Sequence, residues 1–386
     1  MRRLIALQLP HGPELVDELR RVFDAGDAAL PVDLRLGEPA RRRILEAMRP
    51  AAVVEPGGRR RTLAGAEPVE DGDALVMVTS GTTGEPKGVV LTHEAVAASA
   101  RATNARLGVD PETDRWWACL PFAHIGGLSV VLRAWAAGLP VEVSRFSPEG
   151  AELALARGAT LTSLVPTALR RLGPARAAAF RRIVLGGQAP PSRLPANVVA
   201  TYGMTETGSG VVYDGLPLDG VEVAIGVGSE ILLRGPMLLR AYRDGTDPKR
   251  AGGWLPTGDA GRLDGSGRLQ VHGRISDLII SGGENVWPAA VEQVLERHPA
   301  VGEVAVAGVP DPEWGERVTA WVVPDPGAPD LPAPALLAEL RELVKEEIAG
   351  YAAPRSLVLV RSLPRSAIGK VQRAALTGLE GASAAV

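Results

Sequence analysis

Residues 78–89 read VTSGTTGEPKGV, and this stretch decides how the rest of the chain is interpreted. An apolar run leads into it, and an alanine-rich helical run follows. A strand that enters a loop of glycines and hydroxyls is a common phosphate cradle, because backbone N–H groups and hydroxyls both donate to phosphate oxygens. The candidate phosphate-binding residues are Thr79, Ser80, Gly81, Thr82, Thr83, Gly84 and Lys87.

The position of the lysine excludes one kind of phosphate loop. In a Walker loop the lysine follows a glycine and precedes serine or threonine, whereas Lys87 lies between Pro86 and Gly88. Taken alone, the stretch therefore fits either a phosphate loop of another class or a flexible surface loop. The chain has only four lysines among 42 basic residues, so a lysine at this place indicates a need for a compact point charge.

A second stretch, TYGMTETG over residues 201–208, follows a predicted strand. The ring of Tyr202 can stack on a base. The side chains of Thr205 and Glu206 can bind phosphate and a hard cation such as Mg²⁺. The stretch by itself is also compatible with an ordinary turn.

Two later stretches add an acid and a lysine. LPTGDAGR over residues 255–262 places Asp259 in a glycine-rich turn, where a carboxylate can accept hydrogen bonds from ribose hydroxyls. PRSAIGK over residues 364–370 places Lys370 on a glycine-containing loop near the end of the chain. An aspartate in a Gly-Asp turn is often only structural, so neither stretch is decisive alone.

Together with GRISDLIISGGENVWPAAVE over residues 273–292, these motifs resemble those of the acyl-adenylate-forming superfamily. That superfamily includes acyl-CoA synthetases, firefly luciferase and nonribosomal peptide adenylation domains. The motifs occur in the family's order, and the resemblance runs from about residue 74 to residue 373. Five ordered motifs are far more specific than any one of them.

The resemblance implies an α/β fold class, with a large N-terminal α/β domain that carries a β-rich subdomain and a small, mobile α+β C-terminal domain. The expected boundary separates residues 1–275 from residues 276–386. The sequence independently favours an α/β fold, because short apolar runs alternate with helical stretches. From about residue 221, Gly-Asp and Asp-Gly turns indicate antiparallel strands. Helices are predicted over residues 93–107, 128–137, 166–172 and 174–179.

The resemblance also implies a reaction in two steps with ATP, Mg²⁺ and coenzyme A. A carboxylate attacks the α-phosphate of MgATP to give acyl-AMP, and a thiol then attacks the acyl-AMP. By resemblance, Lys370, Glu206 and Thr205 are catalytic, and Glu206 holds Mg²⁺. Ser276 lies at the hinge between the domains, where the family usually has Asp or Lys. The remaining nucleotide-binding residues are Gly186, Gly187, Gln188, Tyr202 and Gly203 around adenine, and Asp259 and Arg274 at ribose.

The segment LPFAHIGG over residues 120–127 bears on the acid that is activated. An amino acid substrate needs an anion for its ammonium group, and the sequence offers no acid here before Glu142. The segment instead resembles that of the o-succinylbenzoate–CoA ligases, and the short N-terminal part resembles actinobacterial members. In that family an arginine at the position of Arg133 faces an aromatic dicarboxylate, which suits bidentate binding. His124 would line the acyl pocket.

Alternatives remain open at each of these positions. Arg133 interrupts an apolar helix and either faces the substrate or reaches the surface. His124 is alternatively a hydrogen-bonded core histidine. The acid could be another aryl or fatty acid, and the thiol could belong to a carrier protein. A pseudo-ligase that only binds nucleotide is disfavoured, because the residues expected for catalysis and nucleotide binding are all present: Lys87, Glu206, Asp259 and Lys370.

The bulk composition narrows the class of protein. A net charge of -3 and a pI near 6.1 disfavour a nucleic-acid partner. The single cysteine, Cys119, excludes a disulfide within the chain and fits a reducing cytoplasm. The chain start is a poor signal peptide, and no apolar run is long enough to predict a membrane span. The expected partners are a small carboxylate, ATP and coenzyme A, and the sequence leaves the oligomeric state open.

Overall fold

The computed structural model describes residues 1–80, 85–191, 193–328, 331–365, 371–379 and 381–385. Its residues fall into two compact units. The first unit comprises Met1–Ala224, Leu232–Pro256 and Gly265–Leu269, and the second comprises Ile225–Ile231, Thr257–Asp264 and Gln270–Val386. Short segments before residue 270 alternate between the two units, so the units do not meet at a single point of the chain. The expected domain boundary between residues 275 and 276 stays a prediction.

The elements are as follows. The helices are α1 (Pro13–Asp24), α2 (Glu38–Met48), α3 (His93–Leu107), α4 (Ile125–Ala136), α5 (Pro148–Ala156), α6 (Pro166–Leu172), α7 (Pro174–Ala179), α8 (Pro288–Leu295) and α9 (Ala333–Glu347). The strands are β1 (Leu4–Leu7), β2 (Ala28–Pro31), β3 (Ala52–Glu55), β4 (Arg59–Thr62), β5 (Asp73–Ser80), β6 (Pro86–Thr92), β7 (Trp116–Ala118), β8 (Val141–Val143), β9 (Leu161–Leu164), β10 (Arg182–Leu185), β11 (Val198–Met204), β12 (Ser209–Tyr213), β13 (Leu216–Pro217), β14 (Glu222–Ile225), β15 (Glu230–Arg234), β16 (Ala241–Tyr242), β17 (Leu255–Leu263), β18 (Leu269–Arg274), β19 (Ile279–Ser281), β20 (Glu284–Val286), β21 (Val301–Asp311), β22 (Gly315–Pro324), β23 (Ser356–Leu359) and β24 (Ala382–Ala385).

The first sheet of the first unit has the order β16-β6-β5-β2-β1-β3-β4. Its central strands β1, β2, β3 and β5 run parallel, and every residue of β1 is buried. A strand that is covered on both faces has an unbroken apolar sequence, as LIAL does here. Helix α1 packs on β1 and β2 through Leu15, Val16, Leu19 and Val22. The unit formed by β1, α1 and β2 therefore lies in the short N-terminal region that precedes the predicted phosphate loop.

The second sheet has the order β13-β12-β11-β10-β9-β7-β8. Strands β7 to β11 run parallel, and β12 and β13 turn back antiparallel. Its core contains Trp117 stacked on Phe180 at 5.9 Å between ring centroids, together with the buried Cys119. Helix α3 packs on both β5 and β6 of the first sheet and on α4, which covers β7 and β9. The two sheets are therefore joined through this helix pair.

Caps explain why several helices begin and end where the sequence predicts. In α3 the side chain of Thr92 accepts a hydrogen bond from the backbone N–H of Ala95, and Gly108 ends the helix in a left-handed conformation. Helix α4 begins three residues earlier than predicted. A Cβ at Gly127 would lie 2.5 Å from the carbonyl oxygens of Leu120 and Pro121. Gly127, a residue type that is unfavourable in a helix, is therefore required by a close approach of the backbone.

Strands β14, β15, β17 and β18 form a third sheet in that order, in the region where the turn pattern predicts strands. The C-terminal part of the second unit has a sheet ordered β20-β19-β22-β23-β24, with β21 paired to β22. Helices α8 and α9 cover it, and α9 buries Leu336, Leu340 and Val344. In the described part of the chain, no helix is long and apolar enough to cross a membrane.

Candidate active site

The hairpin of β5 and β6 carries the two ends of the predicted phosphate loop. Its register pairs Thr79 with Lys87, and the hydroxyl of Thr79 donates to the backbone oxygen of Lys87 at 3.4 Å. Ser80 pairs with Pro86. The predicted ligands Gly81, Thr82, Thr83 and Gly84 lie outside the described residues.

The side chain of Lys87 points at an aromatic ring. Its Nζ lies 3.4 Å from the ring centroid of Tyr242, on the short strand β16 that pairs with β6. The hydroxyl of Tyr242 donates to Oε1 of Glu206 at 3.1 Å. Burial and the nearby Glu206 carboxylate raise the pKa of Tyr242, so this hydroxyl stays protonated and remains a donor. The predicted phosphate-loop lysine and the predicted Mg²⁺ ligand are thus joined through one tyrosine.

Glu206 and Thr205 lie on a short 3₁₀ helix, Thr205–Thr207, that follows β11. The backbone oxygen of Glu206 accepts a hydrogen bond from the N–H of Leu239 at 2.7 Å. A Cβ at Gly203 would lie 2.2 Å from the oxygen of Ser209, so the tight turn requires glycine there. These contacts hold the backbone from which both candidate catalytic side chains project.

The predicted adenine-binding residues lie at the carboxyl ends of neighbouring parallel strands. Gly186, Gly187 and Gln188 follow β10, and Tyr202 lies on the adjacent β11, where Leu185 pairs with Ala200. Gly187 has a φ of 86°, and a Cβ at Gly186 would lie 2.8 Å from the hydroxyl oxygen of Thr201. In open α/β sheets, ligands bind beyond the carboxyl ends of the strands. The first unit therefore brings these residues to the edge expected of a nucleotide site.

The second unit contains the predicted ribose-binding pair. Arg274 Nε lies 2.9 Å from Oδ1 of Asp259, and Nη1 of the same guanidinium donates to the backbone oxygen of Thr257 at 3.2 Å. Asp259 is 7% exposed, whereas the side chain of Arg274 is 51% exposed. The arginine is therefore oriented by the carboxylate while its outer face stays accessible. Lys370 lies outside the described residues.

His124 precedes α4 and contacts an ion pair. Its Nε2 lies 3.1 Å from Nη2 of Arg35 and 3.6 Å from Oδ2 of Asp33. Burial raises the pKa of Asp33, but its interactions with His124 and its hydrogen bonds from Arg35 outweigh that effect and hold the pKa well below the usual range. The side chain of His124 is 33% exposed, so the alternative of a core histidine is wrong.

Arg133 is buried, with 1% of its surface exposed, and the alternative that it reaches the surface is wrong. Its Nη1 donates to Ser163 Oγ at 3.1 Å, and its Nη2 donates to Ser209 Oγ at 2.8 Å and Tyr213 Oη at 3.4 Å. Within the described residues, its Nε has no partner and no carboxylate forms an ion pair with it. The guanidinium therefore keeps an uncompensated positive charge inside the protein.

Two family matches cover most of the candidate site. Residues 61–243 match the AMP-binding enzyme family, and residues 290–370 match the AMP-binding enzyme C-terminal domain. A "Probable 2-succinylbenzoate--CoA ligase" of Mycobacterium tuberculosis is 41% identical over 365 residues, which span 88% of this chain and 93% of the relative. The chain belongs to the AMP-binding enzyme family.

Solved structures of AMP-binding enzymes resemble the chain over nearly all of its length. The o-succinylbenzoate CoA synthetase of Bacillus subtilis, in complex with its acyl-adenylate intermediate, has a TM-score of 0.85 and 31% identity. That match covers 99% of this chain and 90% of the other. The same B. subtilis enzyme with ATP and a magnesium ion has a TM-score of 0.83, 32% identity and coverages of 98% and 90%. The superfamily resemblance and the fold class predicted from the sequence are confirmed.

The carboxylates of the chain fit a magnesium ion that arrives with ATP. The described residues contain no group of three metal-ligating side chains that could hold an ion by themselves. Magnesium in nucleotide enzymes is usually bound by one or two carboxylates together with phosphate oxygens. Glu206, whose carboxylate accepts a hydrogen bond from Tyr242, stays the predicted source of such a carboxylate.

In this AMP-binding enzyme, Ser276 is exposed and its hydroxyl donates to Oδ1 of Asp277 at 3.2 Å. Arg373 reaches the other oxygen of Asp277 at 3.2 Å and forms two hydrogen bonds of 2.7 Å with Glu292. An acid, Asp277, therefore follows the hinge position, at which Ser276 stands in place of the Asp or Lys that is usual in the family. The hinge role of Ser276 stays a prediction.

Several residues that contact the candidate site were not predicted from the sequence. Tyr242, Asp33 and Arg35 are far along the chain from the motifs they contact. The two serines that contact Arg133 are equally scattered. Only AYRDGTDP over residues 241–248, a turn-like stretch with an aromatic residue, offered a local signal.

Proposed function

We propose that the chain is an ATP-dependent 2-succinylbenzoate–CoA ligase, which forms an acyl-adenylate and then a coenzyme A thioester. The relatives with this name support the proposal, as do the solved structures with an acyl-adenylate and with ATP and magnesium. We further propose that the enzyme acts in the cytoplasm, in menaquinone synthesis.

The environment of Arg133 is the observation that supports 2-succinylbenzoate as the substrate. A buried charge is costly unless an opposite charge pairs with it, and hydroxyls supply only dipoles. A substrate with a second carboxylate would provide the missing anion, and a fatty acid or benzoate would not. We propose that the ring carboxylate of 2-succinylbenzoate pairs with Arg133 and that the flexible succinyl carboxylate is activated.

The proposed roles of the remaining residues follow their chemistry. Residues 79–87 bind the β- and γ-phosphates, and Lys87 supplies the charge. Glu206 and Thr205 act at the α-phosphate and Mg²⁺. Catalysis of this kind consists mainly of positioning and charge neutralisation. The other roles are adenine binding by Gly186, Gly187, Gln188, Tyr202 and Gly203, ribose binding by Asp259 and Arg274, and charge neutralisation during adenylation by Lys370.

The direct test is a substrate panel with purified protein and MgATP. Pyrophosphate release and thioester formation are measured with 2-succinylbenzoate, benzoate, a medium-chain fatty acid and a pool of amino acids. The proposal predicts turnover with 2-succinylbenzoate and a coenzyme A thioester as the product. Preference for another acid would contradict the substrate, and an acyl-adenylate without a thioester would contradict coenzyme A as the acceptor.

A further inference from the structure

Tyr242 contacts both charged groups that the proposed function assigns to the polyphosphate end of MgATP. Its ring lies against Nζ of Lys87, and its hydroxyl holds Oε1 of Glu206. Within the described residues, Lys87 makes no ion pair with a carboxylate within 4 Å, so its ammonium contacts the ring directly and interacts with the carboxylate of Asp244 only over a longer distance.

The backbone around Tyr242 is fixed independently of these side chains. Strand β16 pairs with β6, which places Tyr242 opposite Val89. The N–H of Arg243 donates to the oxygen of Gly88 at 2.7 Å, and the N–H of Tyr242 donates to the oxygen of Thr246 at 2.8 Å. The ring is thus attached to the same hairpin that carries Lys87, while its hydroxyl reaches a separate turn.

The two contacts have different physical effects. A cation over an aromatic face is attracted by the ring quadrupole, which limits the positions of the ammonium without neutralising its charge. A hydrogen bond to one carboxylate oxygen fixes the rotation of the carboxylate and leaves the other oxygen available to a cation. Lys87 therefore keeps its full charge for phosphate, and Glu206 keeps one oriented oxygen for a metal.

We propose that Tyr242 is a positioning residue that orients Lys87 through its ring and Glu206 through its hydroxyl before MgATP binds. The inference rests on the proposed function, because it needs Lys87 and Glu206 to act on MgATP. It assigns separate tasks to the two parts of one side chain, and two substitutions separate them. Tyr242→Phe removes only the hydroxyl, whereas Tyr242→Leu removes the hydroxyl and the ring.

The first experiment measures ATP binding by titration calorimetry without any acid substrate, so that no reaction occurs. Magnesium increases the affinity for ATP, and half of this increase is reached at a certain magnesium concentration. In Tyr242→Phe, that magnesium concentration rises about tenfold. The Kd for ATP in the absence of magnesium changes by less than about twofold. In Tyr242→Leu, metal-free ATP binding also weakens about fivefold. Tyr351→Phe is the matched control, since Tyr351 is 41% exposed, and it changes neither quantity.

The second experiment observes Lys87 without any ligand. The chain has four lysines, so lysine labelled with ¹³C at the ε carbon gives four side-chain signals, and Lys87→Arg identifies one of them. Ring current from Tyr242 shifts the Lys87 signal upfield in the parent and in Tyr242→Phe. In Tyr242→Leu the signal returns to the position of an ordinary lysine.

The possible outcomes distinguish a failure of this inference from a failure of the proposed function. A parent protein that does not bind ATP contradicts the proposed function, and the lysine signals still decide whether the ring holds Lys87. If the parent binds ATP and Tyr242→Phe has an unchanged magnesium requirement, the role of the hydroxyl is wrong. An unshifted Lys87 signal in the parent overturns the role of the ring. Equal losses in every measurement for both variants would indicate a structural residue only.

Discussion

Among single residues, Arg133 has the environment that departs most from ordinary burial rules. Its guanidinium is surrounded by three hydroxyls and lies 5.7 Å from the ring centroid of Trp116. One of those hydroxyls belongs to Ser209, whose φ of 144° is unusual for a residue with a side chain. Backbone strain beside an unpaired buried charge is common at binding sites, and it supports the proposed role of Arg133 in substrate binding.

Replacing this arginine has opposite effects on stability and on substrate binding. Arg133→Met removes an unpaired buried charge at similar length, so it stabilises the free protein by about 1 kcal/mol. The KM for 2-succinylbenzoate rises about a hundredfold, because the ring carboxylate loses its partner. Urea denaturation and steady-state kinetics measure the two effects. The control is Arg20→Met, an exposed arginine over Trp135. A loss of stability with an unchanged KM would make Arg133 structural.

The residue types of the nucleotide site could be predicted from the sequence, because the motifs are contiguous and each residue has a distinct chemistry. The burial of Arg133 could not, since it depends on Ser163 of β9 and on Ser209 and Tyr213 of β12, which are distant from it along the chain. Tyr242 was missed for the same reason: its two contacts are made across a hairpin and a separate turn.

At the scale of elements, the start of α4 depends on two adjacent glycines with different surroundings. A Cβ at Gly127 would press against two carbonyl oxygens, whereas a Cβ at Gly126 would meet nothing within 4 Å. Gly127→Ala therefore destabilises the protein by about 2 kcal/mol through overpacking. Gly126→Ala stabilises it by about 0.5 kcal/mol through helix propensity. Chemical denaturation compares the two variants, and equal effects would contradict the close backbone approach.

A second element-scale prediction concerns Asp114, which joins the turn after α3 to β9 and β10. Its carboxylate accepts hydrogen bonds from Arg181 Nε at 2.8 Å and Thr160 Oγ1 at 2.6 Å, and from the N–H of Asp110 at 2.9 Å. Burial raises the pKa of Asp114, but these bonds, led by that from Arg181, hold it below its ordinary value of 3.8. A lowered pKa means that the stabilisation is present above the ordinary value and is lost as the pH falls below it.

Asp114→Asn is therefore expected to cost stability in a pH-dependent way. At about pH 7 the variant loses about 2 kcal/mol of unfolding free energy, and the difference shrinks by about pH 3. Urea denaturation at both pH values measures it. Asp71→Asn, whose carboxylate is 86% exposed, serves as the control and has little effect at either pH. A difference that is the same at both pH values would show that the carboxylate charge is not responsible.

Elements with local end signals were predicted most accurately. The predicted bounds of α3, α6 and α7 are those observed, because caps, prolines and glycines mark their ends. The elements before residue 74 were not predicted from the sequence, although the apolar run LIAL of β1 and the amphipathic pattern of α1 are typical of a strand and a helix. Sheet order depends on long-range pairing, such as that of β16 with β6, which no local pattern specifies.

At the scale of the whole molecule, the proposed mechanism separates two reactions that depend on different residues. Lys370→Ala is expected to abolish acyl-AMP formation, because the charge that develops between carboxylate and α-phosphate is no longer neutralised, at a cost of about 4 kcal/mol or more. Thioester formation from supplied acyl-AMP remains within about threefold. Pyrophosphate release and thioester absorbance measure the two steps separately. Lys345→Ala is the control, since Lys345 pairs with Glu342 on a surface helix. Equal losses in both steps would contradict two states with different catalytic residues.

The proposed mechanism requires that the buried Arg133 selects a dicarboxylate for activation by ATP. The most direct measurement compares kcat/KM for 2-succinylbenzoate with that for 3-benzoylpropionate, which has the same skeleton without the ring carboxylate. Both acids keep the carboxylate that is proposed to attack ATP, so they differ only in the group assigned to Arg133. We expect kcat/KM to be higher for 2-succinylbenzoate by about a hundredfold or more. Equal kcat/KM values for the two acids would contradict it.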